Sequence, residues 1–331
     1  MSGLYDDQLL DELLRGTQSL VGEWGLSDQT EVRLLTISEN MTCLAYDPTQ
    51  DKQLILRVHR PGYHTREEIQ SELLWINDLR QQEIVETPKP IATQAGTAIA
   101  SFSTNNEIRD VVAFSFMSGK EPSTDSELIN GFQQLGSISA KLHNHSQNWV
   151  RPVTFVRKTW NFDTMLGASP LWGDWRAAAG LTDSGRETIE EACLIIRHQL
   201  EAYGMGDRRF GLVHADLRLA NLLVDGNRLG VIDFDDCGLS WFMYDFAAAI
   251  SFIEDDPLVP SLQSAWIQGY RDHRPLSAVD EAMFPTFILL RRVLLTAWLA
   301  SHSETPTAQE LGTEFTAVTV DMAAQYISSH Q

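Results

Sequence analysis

The spacing of apolar and polar residues divides the chain into two parts. In the first part, a short amphipathic helix at residues 4–14 is followed by brief β-type runs that alternate with turn-like segments. Thr65 and Glu68 form the capping-box signature of a helix N-terminus. The predicted strands are residues 32–37, 42–46, 53–59, 91–93, 98–102 and 111–117, and the predicted long helix is residues 66–81. This part should form an antiparallel sheet of five or six strands with one long helix.

The pattern changes after residue 117, where a polar loop leads into a region of helical periodicity. Apolar residues there recur three and four positions apart, which is typical of amphipathic helices. A Trp- and Pro-rich segment at residues 149–180 is either an ordered cap or an insertion that shapes a substrate site. The predicted helices are residues 126–146, 183–203, one opening at residue 241, and 257–272, 278–302 and 307–329. The pattern therefore predicts an α+β protein whose second part is mainly helical.

Composition narrows the classes of partner. The 331 residues include 25 Lys+Arg and 45 Asp+Glu, which gives a net charge of −20. Such a charge repels phosphates and argues against a nucleic acid or an anionic membrane as partner. Three scattered cysteines argue against a disulfide framework, and residues 1–14 lack the pattern of a signal peptide, so we expect a cytoplasmic protein. No apolar run is long enough to span a membrane without interruption, and the run at 284–300 is broken by Arg291 and Arg292.

Candidate chemistry is concentrated at residues 210–236. Two apolar runs flank Asp225 and Gly226, and an Asp-Gly pair in this setting predicts a tight β-hairpin. The hairpin brings Asp216 and Asn221, which precede it, to the same end as Asp233, which follows it. Phosphoryl transfer needs an acceptor for a hydroxyl proton and oxygen ligands for Mg²⁺ close to one phosphorus. These residue types in this order suit that reaction.

This segment resembles the catalytic and metal-binding loops of small-molecule kinases with a protein-kinase-like fold. It is closest to the aminoglycoside phosphotransferase, choline kinase and type II homoserine kinase group, which carries His-Gly-Asp-(Leu/Phe)-(His/Arg)-x-x-Asn and Ile-Asp-(Phe/Trp). Residues 214–221 read HADLRLAN and residues 232–234 read IDF, with Ala215 and Ala220 where glycine is usual. The resemblance implies a bilobal fold, with an N-lobe of sheet plus helix at residues 1–117 and a larger, mainly helical C-lobe at residues 118–331.

The resemblance also implies the catalytic roles. Asp216 would accept or orient the proton of the substrate hydroxyl, and Asn221 and Asp233 would hold Mg²⁺. His214 would fix the loop by hydrogen bonding, and Arg218 would screen charge near the transferred phosphoryl group. Asp245, in an apolar segment that resembles Tyr-Asp-Leu-Ala of these kinases, would brace the catalytic loop.

A cation on the third predicted strand is the main candidate for phosphate binding. The family places a lysine there that bridges the α- and β-phosphates of ATP and pairs with a helical glutamate, whereas this chain has Arg57. An arginine keeps the charge but has a different geometry. Either Glu68 or Glu72 could reach Arg57, and the resemblance favours Glu72. An exposed strand arginine and a solvated carboxylate are the alternatives.

The other expected nucleotide contacts lie at two turns. Residues 38–42 contain no glycine, but the resemblance implies that Ser38, Asn40 and Thr42 meet phosphate oxygens; an ordinary hairpin turn is the alternative. The end of the last strand corresponds to the hinge of the family. Phe116 and Met117 there should flank the purine, because an apolar slot with backbone donors and acceptors suits a base.

The leading function is therefore an ATP- and Mg²⁺-dependent kinase that acts on a hydroxyl group of a small molecule. Candidate acceptors are an amino alcohol, a hydroxy amino acid such as homoserine, or an aminoglycoside. A bacterial protein Ser/Thr kinase of this fold and a catalytically silent nucleotide-binding regulator are the alternatives. A cationic acceptor is expected to meet carboxylates and aromatic rings through ion pairing and cation–π contact, unless the rings belong to the core. These residues are Asp235, Asp236, Glu254, Asp255 and Asp256 with Trp241, Tyr244, Trp266 and Tyr270.

Overall fold

The computed structural model describes residues 7–37, 40–104, 107–122, 125–226, 228–303 and 305–331. The chain folds into two compact units. Unit 1 combines Met1–Lys120 with Arg151–Arg157 and Leu223–Asp235, and unit 2 comprises Glu121–Val150, Lys158–Leu222 and Asp236–Gln331. The predicted lobes were continuous segments that met between residues 117 and 118, whereas each unit is assembled from separate segments.

Unit 1 is built on an antiparallel sheet of six strands among the described residues. The strand order is β1-β2-β3-β6-β4, and β5 pairs with β6. The strands are β1 (Glu31–Ile37), β2 (Met41–Asp47), β3 (Lys52–Val58), β4 (Pro90–Ile91), β5 (Ala100–Thr104) and β6 (Glu107–Ser115). The predicted antiparallel sheet of five or six strands is confirmed, with strand ends shifted by a few residues.

Two α-helices accompany the sheet in the part of unit 1 that the structure describes. Helix α1 (Asp7–Ser19) packs Leu13 into the apolar core of the sheet, and residues 4–6 of the predicted helix lie outside the described residues. Helix α2 (Arg66–Gln81) begins at the predicted capping box. Thr65 Oγ1 accepts from the Glu68 N–H at 3.2 Å, and Glu68 Oε2 accepts from the Thr65 N–H at 2.9 Å. This reciprocal pairing satisfies two backbone donors that a helix start leaves open.

Unit 2 is mainly helical, as predicted. Its helices are α3 (Asp125–Asn148), α4 (Phe162–Met165), α5 (Asp183–Tyr203), α6 (Tyr244–Ala249), α7 (Val259–Arg271), α8 (Ala278–Ala282), α9 (Phe284–Ser301) and α10 (Pro306–Ser328). Helices α3 and α7 approach closely at two glycines. A Cβ at Gly136 would overlap the backbone of Trp266, and a Cβ at Gly269 would overlap the backbone of Gln133. Both positions therefore require glycine for this helix packing.

Short strands carry the catalytic-loop segment. Strand β7 (Phe210–Val213) leads into it, and β8 (Leu222–Asp225) pairs with β9 (Arg228–Val231) as the predicted hairpin, with Gly226 at φ +59°. Strand β10 (Gly238–Trp241) pairs antiparallel with β7. The sequence had indicated only a helix opening at Trp241, because a four-residue run is too short to show a strand period. The helix begins at Tyr244 instead.

Helix α9 belongs to the core of unit 2. The segment Ala278–Ser301 is long and apolar enough to cross a membrane by length and composition. However, 72% of an apolar stretch of 18 residues within it is buried inside the protein. Arg291 and Arg292 lie in the middle of α9 and are both buried. A charged side chain in such a position needs partners, and both arginines have them.

Candidate active site

The carboxylate of Asp216 in unit 2 is fixed from several sides. Its Oδ1 accepts from Arg291 Nη2 at 2.8 Å, and its Oδ2 accepts from Arg218 Nε at 3.2 Å and from Asn221 Nδ2 at 2.9 Å. The Asp216 side chain keeps 16% of its surface exposed. This partial exposure leaves the carboxylate accessible while its orientation is held, which suits a group that receives or orients a proton.

The loop after Asp216 turns tightly. A single turn of 3-10 helix, Leu219–Asn221, returns the amide of Asn221 to Asp216, where Nδ2 also donates to the Asp216 carbonyl at 2.8 Å. The amide nitrogen of Asn221 is thereby committed to the loop. Among the described residues, its Oδ1 accepts no hydrogen bond, and an amide oxygen is a ligand that Mg²⁺ takes.

The backbone of the catalytic loop is held by Asp245 on helix α6. Ala215 lies in the left-handed region at φ +66°, which is why glycine is usual there in the resembling kinases. Asp245 Oδ1 accepts from the Ala215 N–H at 2.8 Å, and its Oδ2 accepts from the His214 N–H at 3.4 Å and contacts His143 Nε2 at 2.9 Å. The predicted bracing role of Asp245 is confirmed.

His214 is a buried part of this loop. Its side chain is fully buried, and its Nδ1 accepts from the Asp216 N–H at 3.4 Å. This placement suits the predicted role of fixing the loop rather than transferring a proton. His143 supports the same loop through Asp245 and contacts the Tyr270 hydroxyl at 3.0 Å. Burial lowers the pKa of His143 even though the Asp245 carboxylate acts to raise it.

Arg57 lies at the centre of a buried charge cluster in unit 1. Its Nη2 donates to Glu72 Oε2 at 2.5 Å, so Glu72 rather than Glu68 is the partner, as the resemblance favoured. Its Nη1 lies 3.4 Å from Asp233 Oδ1, and its Nη2 lies 3.7 Å from Asp235 Oδ1. Burial acts to lower the pKa of Arg57, but the carboxylates of Glu72, Asp235 and Asp233 hold it above its ordinary value. The alternative of an exposed strand arginine is wrong.

The two carboxylates after β9 have different environments. Asp233 keeps half of its side chain exposed and has a left-handed backbone, with φ +62°. Asp235 is buried: its Oδ2 accepts from Asn40 Nδ2 at 2.7 Å and lies 3.4 Å from His64 Nε2. Burial acts to raise the pKa of Asp235, but Arg57 and His64 hold it well below its ordinary value. Asp233 is therefore the carboxylate with a surface open to a metal ion.

The residues predicted to contact phosphates are only partly described. Ser38 lies outside the described residues. Thr42 on β2 pairs in register with Arg57 on β3, so both side chains lie on the same face of the sheet. Asn40 is buried, and its Oδ1 accepts from the Arg60 N–H at 3.2 Å while its Nδ2 donates to Asp235. Asn40 therefore links the backbone of Arg60 to the Asp235 carboxylate through the two ends of its amide.

Phe116 and Met117 follow the last residue of β6. Phe116 has 44% of its surface exposed, and Met117 is half-buried. Among the described residues, their backbone N–H and C=O groups make no hydrogen bond. Met117 Cε lies directly over Gly230 of β9, where a Cβ would overlap it. The segment thus presents open backbone groups beside apolar side chains, as base recognition requires.

The donor set has the chemistry that Mg²⁺ prefers in kinases. Mg²⁺ is commonly held by one or two protein oxygens together with substrate phosphates. Asn221, in unit 2, carries an amide oxygen, and Asp233, in unit 1, carries a carboxylate, so each residue taken by itself offers an oxygen of this kind. The described residues contain no group of three or more His, Cys, Asp or Glu side chains able to hold a metal without such phosphates. The residues present therefore fit a metal that arrives with the nucleotide.

The aromatic part of the predicted surface for a cationic acceptor is wrong. Trp241, Tyr244, Trp266 and Tyr270 are all buried at 2% exposure or less. Trp266 stacks on Tyr270 with ring centroids 4.7 Å apart, so these rings are core. Glu254 is also buried, and its Oε2 accepts from Arg292 Nη1 at 2.8 Å. Asp235 is engaged within unit 1, as described above.

Arg291 is the site residue that the sequence interpretation missed. It had been noted only as an interruption of an apolar run. The sequence did carry a signal for a functional role. Two arginines halfway along an apolar helix must find buried partners, which predicts buried ion pairs at these positions. One of them finds Asp216.

Comparison with known proteins identifies the family. Residues 38–279 match the model of the phosphotransferase enzyme family. The solved structure of a microcompartment-associated aminopropanol kinase has a TM-score of 0.88 and 42% sequence identity over 95% of this chain and 97% of that one. An amicoumacin kinase, hAmiN, in complex with AMP-PNP, Ca²⁺ and Ami has a TM-score of 0.76 and 19% identity over 96% of this chain and 94% of that one.

Curated relatives agree with this result. Homoserine kinases of Neisseria meningitidis and Gluconobacter oxydans are 44% identical over 23% of this chain and 27% identical over 65% of it, respectively. The matches span 26% and 66% of the length of those relatives. The α+β, protein-kinase-like fold class and the phosphotransferase class of enzyme are therefore confirmed. The chain belongs to the phosphotransferase enzyme family.

Proposed function

We propose that this chain transfers the γ-phosphoryl group of ATP, with Mg²⁺, to the hydroxyl group of a small amino alcohol. The observation that carries the proposal is the Asp216 carboxylate, which is partly exposed and held by Arg291, Arg218 and Asn221. A positioned carboxylate that can meet a hydroxyl group is what phosphoryl transfer to an alcohol requires of the protein.

The reaction exchanges one phosphorus–oxygen bond for another. The acceptor hydroxyl oxygen forms a bond to the γ-phosphorus, and the bond to the oxygen that bridges the β- and γ-phosphorus breaks. ADP departs with that electron pair, and Asp216 orients the hydroxyl group and receives its proton. Asn221 and Asp233 would hold Mg²⁺, which supplies positive charge to the phosphate oxygens when bound. Arg218, with 40% of its side chain exposed beside Asp216, would screen charge on the transferred group.

The nucleotide is assigned to unit 1. Arg57 would contact the α- and β-phosphates, and Glu72 keeps its guanidinium in place through the buried ion pair. Thr42 lies beside Arg57 on the same face of the sheet, and Asn40 bonds the Arg60 backbone and Asp235 in the same unit. Phe116 and Met117 would flank the base. The AMP-PNP in the hAmiN complex supports an adenine nucleotide for this family.

The choice of acceptor rests on the relatives. The similar structure with 42% identity is an aminopropanol kinase, which makes an amino alcohol the first candidate. Homoserine, the substrate named for two curated relatives, is the second. Nucleic acid and membrane partners do not suit a net charge of −20. We also infer a cytoplasmic location, since three cysteines scattered along the sequence do not suit a disulfide framework.

Calorimetry and an acceptor screen test the function. Mg²⁺-ATP should bind in a titration calorimeter, and omission of the metal should abolish or greatly weaken binding. ADP release should then be followed with aminopropanol, homoserine, an aminoglycoside, a neutral polyol and a generic protein substrate side by side. The proposal predicts turnover with aminopropanol above all others. Turnover with proteins alone would favour the protein-kinase alternative, and nucleotide binding without turnover of any acceptor would favour the silent regulator.

Replacement of the proposed base separates chemistry from nucleotide binding. Asp216→Asn should lower kcat by at least about 100-fold and leave the Kd of Mg²⁺-ATP within a few-fold of wild type, because Asp216 meets the hydroxyl group and not the nucleotide. Asp233→Ala is the contrasting variant, which should weaken metal-dependent ATP binding. A kcat near that of wild type in Asp216→Asn would remove Asp216 from its role.

A further inference from the structure

We propose that Arg291 is a positioning residue for phosphoryl transfer, which fixes the direction in which the Asp216 carboxylate faces the acceptor hydroxyl. This inference rests on the proposed function, since it assigns Asp216 the role of meeting the hydroxyl group. Arg291 enters from helix α9, 75 residues after Asp216 in sequence, and donates from Nη2 to Asp216 Oδ1 at 2.8 Å. Its side chain is 3% exposed, so this ion pair is shielded from solvent on the arginine side.

The guanidinium is itself held in a single orientation. Its Nε donates to the Ser251 hydroxyl at 2.9 Å, and its Nη1 donates to the Tyr244 hydroxyl at 3.0 Å. The guanidinium carbon lies 5.1 Å from the centroid of the Trp172 ring. A planar group that is bound at three nitrogens and packed against a ring cannot rotate freely. The hydrogen bond from its Nη2 therefore holds the Asp216 carboxylate in one orientation.

This arrangement restrains Asp216 through Oδ1, whereas residues of its own loop contact Oδ2. Asn221 and Arg218 contact Oδ2 and belong to the same loop as Asp216, so they move with it. Arg291 contacts Oδ1 and belongs to a core helix that is packed among α5, α6 and α10. Arg291 therefore fixes the position of the Asp216 carboxylate relative to the packed interior of unit 2. A displacement of about 1 Å at a reacting group can cost about 100-fold in rate.

The Trp-rich segment acquires a role in the same arrangement. Trp172, whose ring faces Arg291, is buried and packs edge-on against Trp160, with centroids 5.4 Å apart. Trp160 Nε1 in turn donates to the Asp236 carbonyl at 2.8 Å. In unit 2, this segment therefore packs Trp172 and Trp160 in fixed positions next to the Arg291 guanidinium. Of the two alternatives that the sequence left open, an ordered cap is the one that these contacts favour.

The neighbouring Arg292 offers a matched control. It lies on the same helix and is equally buried, at 2% exposure, and it also forms a buried ion pair, with Glu254. Its other partners are Asp255, Thr319 and the Phe315 carbonyl, and none of its hydrogen bonds or ion pairs among the described residues is with Asp216. Loss of either arginine should therefore disturb the core to a similar extent, whereas only loss of Arg291 should release the catalytic carboxylate.

The experiment compares Arg291→Met and Arg292→Met in the full chain, at a temperature where thermal unfolding shows both to be folded. Arg291→Met should lower kcat by about 100-fold, with the KM for ATP within about threefold of wild type. Arg292→Met should keep kcat within about threefold. Arg291→Lys, which returns a cation but not the fork of donors, should recover at least about tenfold of the loss. An equal loss of kcat in both methionine variants would assign Arg291 a structural role only and overturn the inference.

A double-mutant cycle, measured where thermal unfolding shows every variant to be folded, provides a second readout. If Arg291 acts through Asp216, Asp216→Asn combined with Arg291→Met should be no slower than Asp216→Asn alone, within about threefold. Multiplicative losses would overturn the inference. Wild-type turnover of an acceptor is measured in the same assay. Its absence would contradict the proposed function, whereas turnover that Arg291→Met leaves unchanged would contradict only the role of Arg291.

Discussion

Arg57 shows how one substitution within a motif can keep a function while it changes its geometry. A guanidinium can pair with Glu72 through one nitrogen and still present others, because it carries five donors in a plane. Here Nη2 is directed at Glu72 and Nη1 towards Asp233. The guanidinium therefore supplies a buried cation at the position where the resemblance implies a lysine, as the proposed contact with phosphate would need. This argues against the view that arginine at this position marks an inactive relative.

Replacement of Arg57 tests this interpretation. Arg57→Lys should keep the KM for ATP within about threefold, and Arg57→Ala should raise it by about tenfold or more. Arg57→Ala also leaves a buried carboxylate unpaired, which costs about 3–5 kcal/mol of folding free energy. The double variant Arg57→Met/Glu72→Gln removes both charges and most of that cost. If its KM for ATP equals that of wild type, Arg57 does not contact phosphate.

Among the described residues of the segment 210–236, two residues other than glycine have left-handed backbones. Ala215 and Asp233 have φ values of +66° and +62°, in a region where residues with a Cβ are strained by about 1–2 kcal/mol. Strain of this kind persists only where the surroundings impose it. At Ala215 the Asp245 carboxylate accepts the backbone N–H at 2.8 Å. The sequence revealed the departure from glycine, but not that the loop keeps the glycine conformation.

At the scale of single residues, the sequence predicted contacts that a motif specifies and failed where packing decides. Glu72 was identified because the family pairs a helical glutamate with the strand cation. The aromatic residues assigned to a cationic acceptor were near the motif in sequence, yet they are core. Nearness along the chain does not give the direction of a side chain, which is set by the strand or helix that carries it. Arg291 was missed for the same reason.

Elements with terminal signals were predicted with accurate bounds. Helix α2 begins after its capping box, and α5 spans Asp183–Tyr203 as predicted, between Thr182 and Gly204. Caps and glycines give local information that needs no tertiary context. Strand β10 has no such signal, because its four residues are a strand only through their pairing with β7. Local chemistry predicted the first kind of element, and long-range pairing created the second.

Strand β9 provides a prediction at this scale. Gly230 leaves space that the Met117 Cε occupies, and a Cβ there would displace only the flexible end of that side chain. Gly230→Ala should therefore change the free energy of unfolding little, by about 1 kcal/mol at most, since an overpacked flexible side chain can relocate. It should raise the KM for ATP several-fold, because Met117 is then moved from its proposed place beside the base.

The control for this variant is Gly22→Ala in the same unit, where a Cβ would meet no atom within 4 Å. That change should leave the KM for ATP unaltered. If Gly230→Ala also leaves the KM unaltered while a structure of the variant shows Met117 displaced, Met117 does not line the nucleotide site. Kinetics at saturating acceptor, with ATP varied, provide the measurement.

At the scale of the whole molecule, buried histidines connect the fold to pH. Burial and the charge of Arg57 hold the pKa of His59 well below its ordinary value, and burial lowers that of His143. His64 has the opposite shift: burial acts to lower its pKa, but Asp235 and Glu68 raise it. Among the described residues, the ring nitrogens of His59 have no hydrogen-bond partner, although Nδ1 lies 3.7 Å from Asp235 Oδ1. His59 is thus a titratable group that can be replaced without loss of a hydrogen bond.

The sign of the pH dependence follows from these directions. A histidine whose pKa is lowered by folding contributes stability at pH values above its unfolded pKa of about 6.5. This contribution is lost as the pH falls towards the folded pKa. The reason is that the unfolded chain then binds a proton that the folded chain does not. His59 and His143 therefore make the protein less stable below about pH 6.5. The raised pKa of His64 acts the other way, and its contribution is lost as the pH rises above its folded pKa.

The variant His59→Leu isolates the contribution of His59 to the pH dependence of the free energy of unfolding. The free energy of unfolding of the wild type, measured by denaturant titration between pH 7.5 and 5, should fall towards acid with a contribution from His59 of up to about 1.4 kcal/mol per pH unit below pH 6.5. The leucine variant should lose that contribution, so the difference between variant and wild type should move in favour of the variant as the pH falls. The comparison cancels the titration of the many carboxylates, which both chains share. A difference that does not change with pH would show that His59 binds a proton equally well in the folded and unfolded chains, and that its burial does not influence the acid stability of the enzyme.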